Sequence, residues 1–324
     1  MRKAEWGRHQ LKFLKPSAEE YVAIEVSNLT KRFDDTYAVS NLTFKVNSGD
    51  LFGLLGPNGA GKTSSINMMS SMMRPSSGEV KLFGKNVGAE PLETRKIIGL
   101  VFQDSSLDRQ LSVWENLRFA GLLHNLPMSL ISDSADQLLK LFNLQDKRNK
   151  PVVTLSGGQR RALDIARGVI HKPKILFLDE PTIGLDLPTR LKLWEFIHDL
   201  RVSNGMTVLL TTHYLEEASG CNEVAFLKEG KLVLSGQPEE LRNKLCSSVL
   251  EIESPIMNQI FDKLTSQFGR GKQKFRTAYI NISENENLNL SFRIDQLKKQ
   301  FGNSLTKLIV RPPNLNDVFL WINQ

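Results

Sequence analysis

The sequence predicts an α/β fold in which strands deliver a glycine-rich loop to one edge of a sheet, followed by a small α/β domain of ferredoxin-like type. Three observations predict it. A glycine-rich stretch, "GPNGAGKTS", lies between an apolar run and a segment with helical spacing. A second apolar run, "ILFL", ends in two adjacent carboxylates, Asp179 and Glu180. From Ser247 onward short strand and helix patterns alternate. Strands interleaved with helices are the mark of the α/β class.

The elements follow in chain order. Residues 1–20, opening "MRKAEWGRHQLKFLK", are basic and lack an apolar segment of the secretory kind. Two readings stand for them: a solvated tail, or a membrane-surface contact through Trp6, Leu11, Phe13 and Leu14. From Tyr21, "YVAIEVSNL" and "LTFKV" alternate as strands do, and "SGD" is a turn. Leu51–Leu55 reads as a buried strand and Ser64–Met69 as the start of a helix; "GEVKLFG" is a further strand. Residues 107–150 are mostly helical in pattern, with Leu117, Leu122, Leu138, Leu139 and Leu141 as apolar positions, and a helical subdomain is expected over about 104–150. "TVLLTTH" is a buried strand, and "EVAFLKEGKLVLSG" a hairpin turning at Glu229-Gly230. The first domain is expected over 21–246. The second, 247–324, runs strand, helix, strand, helix, strand, helix; Asn314 can cap its last helix, with Asp317 in the first turn.

Bulk properties bound the partners. The 324 residues suffice for two domains and a sizeable core. A formal net charge of +7 suits an anionic ligand or an anionic membrane surface. Two cysteines, Cys221 and Cys246, supply neither a disulfide framework nor metal-site spacing. No window has the roughly 18–20 consecutive apolar residues of a membrane span.

The glycine loop carries the clearest chemistry. Gly56-x-x-x-x-Gly61-Lys62-Thr63 has the spacing of a phosphate cradle. Glycines let backbone N–H groups converge on phosphate oxygens, and the following helix start adds positive potential. In that pattern Lys62 bridges the outer phosphates, and the Thr63 hydroxyl binds Mg²⁺. Asp179 and Glu180 end a buried strand, at the edge where α/β sheets bind ligands. Neighbouring strand residues point to opposite faces, so Asp179 is read as the metal-side acid and Glu180 as the base that orients a water against the γ-phosphate. Alone, the pair is equally an acidic cap before a helix. The third stretch is "LSGGQRRALDIARGVI". Ser156 can cap the helix, and Gly157 and Gly158 fall in its first turn, where glycine disfavours helix by about 1 kcal/mol each. Close backbone approach to a second phosphate contact, supplied across a dimer, would account for them.

Together these stretches resemble the ATP-binding subunit of ABC transporters, a P-loop NTPase fold with a helical subdomain. "GPNGAGKT" is similar to Walker A, "LSGGQ" to the family signature and "ILFLDEP" to Walker B. Gln103 in "VFQD" matches the Q-loop, Gly184-Leu185-Asp186 the D-loop, and His213 in "TTH" the switch histidine. Phe33 in "TKRF" matches the aromatic that stacks on adenine, with Tyr37 as a rival. One departure is "GLDLPTR", where proline is Pro188 rather than the residue directly after the aspartate.

The resemblance implies an ATPase that powers a separate membrane permease, with ATP and Mg²⁺ bound. Nucleotide contacts fall to Phe33 and to Gly56, Pro57, Asn58, Gly59, Ala60, Gly61, Lys62, Thr63 and Ser64. Mg²⁺ falls to Thr63, Gln103 and Asp179; catalysis to Glu180, His213 and Gln103. Ser156, Gly157, Gly158, Gln159 and the D-loop Asp186 meet ATP held by a second ATP-binding subunit, a second copy of this chain. The location implied is peripheral, on the cytoplasmic face of the cell membrane. "FQDSSLDRQLSVWENL" and "PPNLNDVFL" are similar to the ABC-2 exporter branch, of the daunorubicin-resistance and nodulation-export type. The alternative, a soluble ABC ATPase in a non-transport assembly role, is disfavoured by the domain from Ser247. Nucleic-acid machines of the family carry tandem cassettes or long coiled coils. This chain has one cassette, and 104–154 lacks sustained heptads, so no nucleic-acid partner is expected.

Overall fold

The computed structural model describes residues 22–283 and 290–322; the expected basic tail 1–20, with Trp6, Leu11, Phe13 and Leu14, lies outside them, as does Tyr21. In chain order the elements are β1 (Val22–Phe33), β2 (Thr36–Asn47), β3 (Leu51–Leu55), α1 (Lys62–Met69), β4 (Ser77–Leu82), β5 (Lys85–Asn86), α2 (Pro91–Lys96) and β6 (Ile98–Val101). The chain then enters α3 (Val113–Leu123), α4 (Met128–Leu141), α5 (Gly157–Val169), β7 (Ile175–Asp179), α6 (Leu187–Asn204) and β8 (Thr207–Thr212). It continues through α7 (Leu215–Ala218), β9 (Glu223–Lys228), β10 (Lys231–Gly236), α8 (Pro238–Leu245), β11 (Ser248–Glu253), α9 (Met257–Phe268), β12 (Gly271–Lys274) and β13 (Thr277–Ile282). The last described elements are α10 (Leu290–Phe301), β14 (Lys307–Arg311) and α11 (Leu315–Ile322).

The chain divides into two compact units, one through His213 with Cys221–Val233, the other Tyr214–Gly220 with Leu234–Gln324. The first unit carries two sheets. The antiparallel sheet has the order β2-β1-β4-β5; the other runs β10-β9-β3-β8-β7-β6, with parallel pairing from β9 through β6. A fully parallel stretch demands burial on both faces. That is why β3, β7 and β8 are buried at every residue, each around a run of apolar side chains. The main core includes Phe44 of β2 and Phe52 of β3, whose rings stack 4.9 Å apart. Ser112 and Ser156 each form a capping box, with Glu115 and Gln159, so α3 and α5 start where their sequences say they should.

In the second unit the sheet order is β12-β13-β11-β14, with every neighbouring pair antiparallel. With α9 after β11 and α10 after β13, this is the ferredoxin-like arrangement. Leu250, Ile252, Ala278, Ile280 and Ile282 alternate onto one face and pack with Leu264 and Phe268 of α9. This unit takes in α7 and α8 along with the strands and helices from β11 onward. The physical reason is that α11 packs on both α7 and α8. Its start is fixed by a reciprocal cap: Asp317 N donates to Asn314 Oδ1, and Asn314 N donates to Asp317 Oδ2. Arg311 donates to both Asp317 oxygens at 2.7 and 2.9 Å and to Glu251 at 2.9 Å. These two carboxylates hold its pKa above the ordinary guanidinium value.

Candidate functional site

Parallel pairing brings four strand ends to one edge. β3 runs into the glycine loop, β8 into His213, β7 into Glu180 and β6 toward Gln103. The loop is shaped by backbone that only glycine tolerates well. Gly56 and Gly61 have φ of 155° and 100°, and a Cβ on either would lie 2.4 Å from a carbonyl oxygen, of Leu227 and Ala38 respectively. Lys62, 5% exposed, folds back over this loop. Its ammonium donates to Gly56 O at 2.9 Å and Pro57 O at 3.2 Å.

Asp179 is the last residue of β7, and Glu180 follows it outside the strand. Thr211, in register with Asp179, donates its hydroxyl to Asp179 Oδ1. Glu180 turns the other way. Its Oε1 lies 3.3 Å from Lys62 Nζ, and its Oε2 lies 2.8 Å from His213 Nδ1. The Glu180 backbone is left-handed, φ 45°, and its N–H donates to Thr211 O at 3.2 Å and Oγ1 at 3.0 Å. A non-glycine residue in this region is uncommon and needs support. The structure thus brings Lys62, Asp179, Glu180 and His213 together, and it adds Thr211, which the sequence reading missed. The available signal was β8 itself: an apolar parallel strand ending in two threonines.

The signature residues lie elsewhere on the same unit. Ser156 Oγ accepts from Gln159 N at 3.2 Å, and Ser156 N donates to Gln159 Oε1 at 3.0 Å. Gly157 is open to its surroundings, whereas a Cβ on Gly158 would lie 2.9 Å from Thr189 of α6. Helix packing therefore accounts for Gly158 in this chain without an anion. Ser156, Gly157, Gly158 and Gln159 line a cavity of about 780 Å³ together with Gly184, Leu185 and Asp186. No residue of the glycine loop lines it. Asp186 is the N-cap residue of α6, without a side-chain cap bond, and Pro188 sits in the first turn, where a missing N–H costs nothing. The displaced proline leaves the helix start in place.

The aromatic candidates flank the β1–β2 turn. Phe33 pairs with Thr36 and Tyr37 with Arg32, so alternation sends the two rings to opposite faces of the hairpin. Both are exposed; Lys31 lies over the Phe33 ring and Arg32 over Tyr37. The side chain of Gln103 is exposed, and its carbonyl faces Arg161, a residue the sequence reading passed over. Thr63, Asp179 and Gln103 are all hard oxygen donors, few in number. That set fits Mg²⁺, which keeps waters and substrate oxygens in its shell and needs only one or two protein groups. Among the described residues no cluster of three or more His, Cys, Asp or Glu is spaced to hold a metal. No described helix is long and apolar enough to cross a membrane.

Residues 39–183 match the family model described as "ABC transporter". A curated relative, Nod factor export ATP-binding protein I of Cupriavidus metallidurans, is 35% identical over 299 residues, spanning 92% of this chain and 96% of the relative. The daunorubicin/doxorubicin resistance ATP-binding protein DrrA of Streptomyces peucetius is 40% identical over 231 residues, 71% of this chain and 70% of DrrA. Among solved structures, CbiO1 of Clostridium perfringens, part of the ABC transporter complex cbiONQ, superposes with a TM-score of 0.64 at 27% identity, covering 76% of this chain and 96% of that one. A dimeric ATP-binding cassette bound to ADP and Pi gives 0.62 at 26% identity, covering 66% and 98%.

Proposed function

The chain belongs to the ATP-binding, ATP-hydrolysing subunits of ABC transporters, and from that premise we propose that Glu180 is the base of an ATPase site that drives export through a separate permease. One observation carries the assignment: Glu180, 7% exposed, is wedged between Lys62 at 3.3 Å and His213 at 2.8 Å at the end of β7. A carboxylate held between two nitrogen groups at the ligand edge of the sheet is aimed rather than merely buried.

The loop N–H groups and Lys62 hold the phosphates of ATP; Phe33 stacks on its adenine, and Pro57, Asn58, Ala60 and Ser64 complete the cradle. Thr63, Asp179 and Gln103 hold Mg²⁺, which neutralises phosphate charge when bound. Glu180 accepts a proton from water as the water oxygen bonds to the γ-phosphorus; the bond to the bridging oxygen breaks, leaving ADP and phosphate. His213 steadies the Glu180 carboxylate through its Nδ1. The signature residues and Asp186 complete the site of a second copy. Export as the direction, and a peripheral place on the cytoplasmic face of the membrane, rest on relatives named for Nod factor export and drug resistance.

Replacing Glu180 by Gln removes the proton acceptor and keeps the shape. Hydrolysis of Mg-ATP should fall by about 10²–10⁴ with ATP affinity retained, the range typical of general-base loss. Turnover near the unmodified rate in Glu180→Gln would sink the assignment.

A further inference from the structure

We infer that Arg161 is a positioning residue for hydrolysis: from α5 it sets the backbone carrying Asp179 and Glu180 and ties it to the carbonyls at Phe102 and Gln103. The guanidinium is buried, with the residue 7% exposed. Its Nε donates to Pro181 O at 2.8 Å; Nη2 donates to Asp179 O at 3.1 Å and Glu180 O at 3.2 Å; Nη1 donates to Phe102 O at 2.5 Å and Gln103 O at 3.4 Å. A guanidinium has five N–H donors in a fixed plane, and here each meets a different main-chain carbonyl. Among the described residues no carboxylate forms an ion pair with it; burial lowers its pKa from the ordinary value, and Asp164 and Asp179 oppose that shift at longer range.

The geometry bears on Glu180 directly. The peptide that orients its carboxylate is left-handed and is held on its N–H side by Thr211 and on its carbonyl side by Arg161. Two further residues on the same helix continue the tie. Asp164 Oδ1 accepts from Ser106 N at 3.3 Å, and Arg167 donates to Ser106 O at 2.5 Å and to its hydroxyl. The helix that begins with the signature serine therefore grips both the catalytic strand end and the segment leading away from Gln103. A misplacement of about 1 Å at a reacting group costs on the order of 100-fold, so this grip is a condition for Glu180 to act.

The inference rests on Glu180 as the base. The test compares full-length Arg161→Lys, Arg161→Gln and Arg167→Gln with the unmodified chain, below each melting temperature. Lysine keeps the charge but concentrates three donors on one atom and cannot span two strand ends. Both Arg161 variants should lose roughly 10- to 100-fold in kcat with the KM for ATP within about twofold. Arg167→Gln, which frees Ser106 without touching the catalytic strand, should lose far less. Combined with Glu180→Gln, Arg161→Lys should slow hydrolysis no further. An unchanged kcat, equal losses in Arg167→Gln, a shift carried by KM, or failure of both Arg161 variants to fold would each overturn the inference. A fully active Glu180→Gln would instead strike the reading of the base itself.

Discussion

His171, just beyond α5, has its ring stacked on His124 with centroids 3.6 Å apart. Its Nε2 lies 2.9 Å from Ile98 O, a partner that requires an N–H there, and its buried Nδ1 has no hydrogen-bond partner among the described residues. Burial, with His124 adding to it, pushes its pKa from 6.5 down to about 4. The unfolded chain therefore binds this proton first as pH falls. Stability contributed by the neutral ring is present above about pH 6.5 and is lost as pH drops toward 4, on the order of 3 kcal/mol in all. Urea unfolding across this window should show the slope, and His171→Gln should flatten it; parallel slopes would refute the assignment. Phe33 and Tyr37 pose a different residue-scale question, because opposite faces of one hairpin cannot both meet the same adenine. Phe33→Ala should weaken ATP binding by about 1–3 kcal/mol, the scale of base–aromatic stacking, with Tyr37→Ala near neutral. The reverse result in equilibrium binding would transfer the role to Tyr37.

At the level of elements, what was legible in the sequence is what depends on near neighbours. The glycine loop, the carboxylates closing β7, the Ser156 cap and the Asn314–Asp317 cap are each written within a few residues. What was not legible depends on another element. Gly158 is explained by Thr189, Asp179 is oriented by Thr211, and Arg161 spends all its donors on distant carbonyls. The helical insert shows the same boundary. Leu117, Leu138 and Leu139 are buried, but Leu122 and Leu141 are exposed, because composition does not fix the phase of a helix against its neighbours. Around the α3–α4 turn, Phe119, Leu122, Leu123, Met128 and Leu130 are all exposed. Trp114, at the start of α3, is covered by Arg148 at 4.1 Å. We propose that this patch docks the permease, since apolar side chains clustered in water mark a contact site. A photo-crosslinker at Phe119 in membranes containing the transporter should capture an integral membrane protein. Capture only from the second unit would misplace the docking site.

For the whole molecule, the telling fact is that the two glycine-rich helix starts do not share a cavity. Lys62 and the loop lie with Glu180 and His213, while Ser156, Gly157 and Gly158 line a separate cavity with Gly184 and Asp186. We propose that a single chain presents half of two phosphate sites. A two-fold pairing supplies both missing halves at once, because an isologous contact sets each signature against the partner's loop. Ile183, Leu187 and Leu191 leave apolar side chains exposed beside Asp186, a surface suited to burial against a second copy. In this proposal ATP bonded from both sides would favour the closed pair and hydrolysis would open it, a movement that could drive a permease. Glu180→Gln should therefore bind Mg-ATP and accumulate as a dimer in size-exclusion chromatography. Lys62→Ala, which loses the ammonium over the loop, should stay monomeric with the same nucleotide. If Glu180→Gln remains monomeric with ATP bound, the partner is not a second copy of this chain.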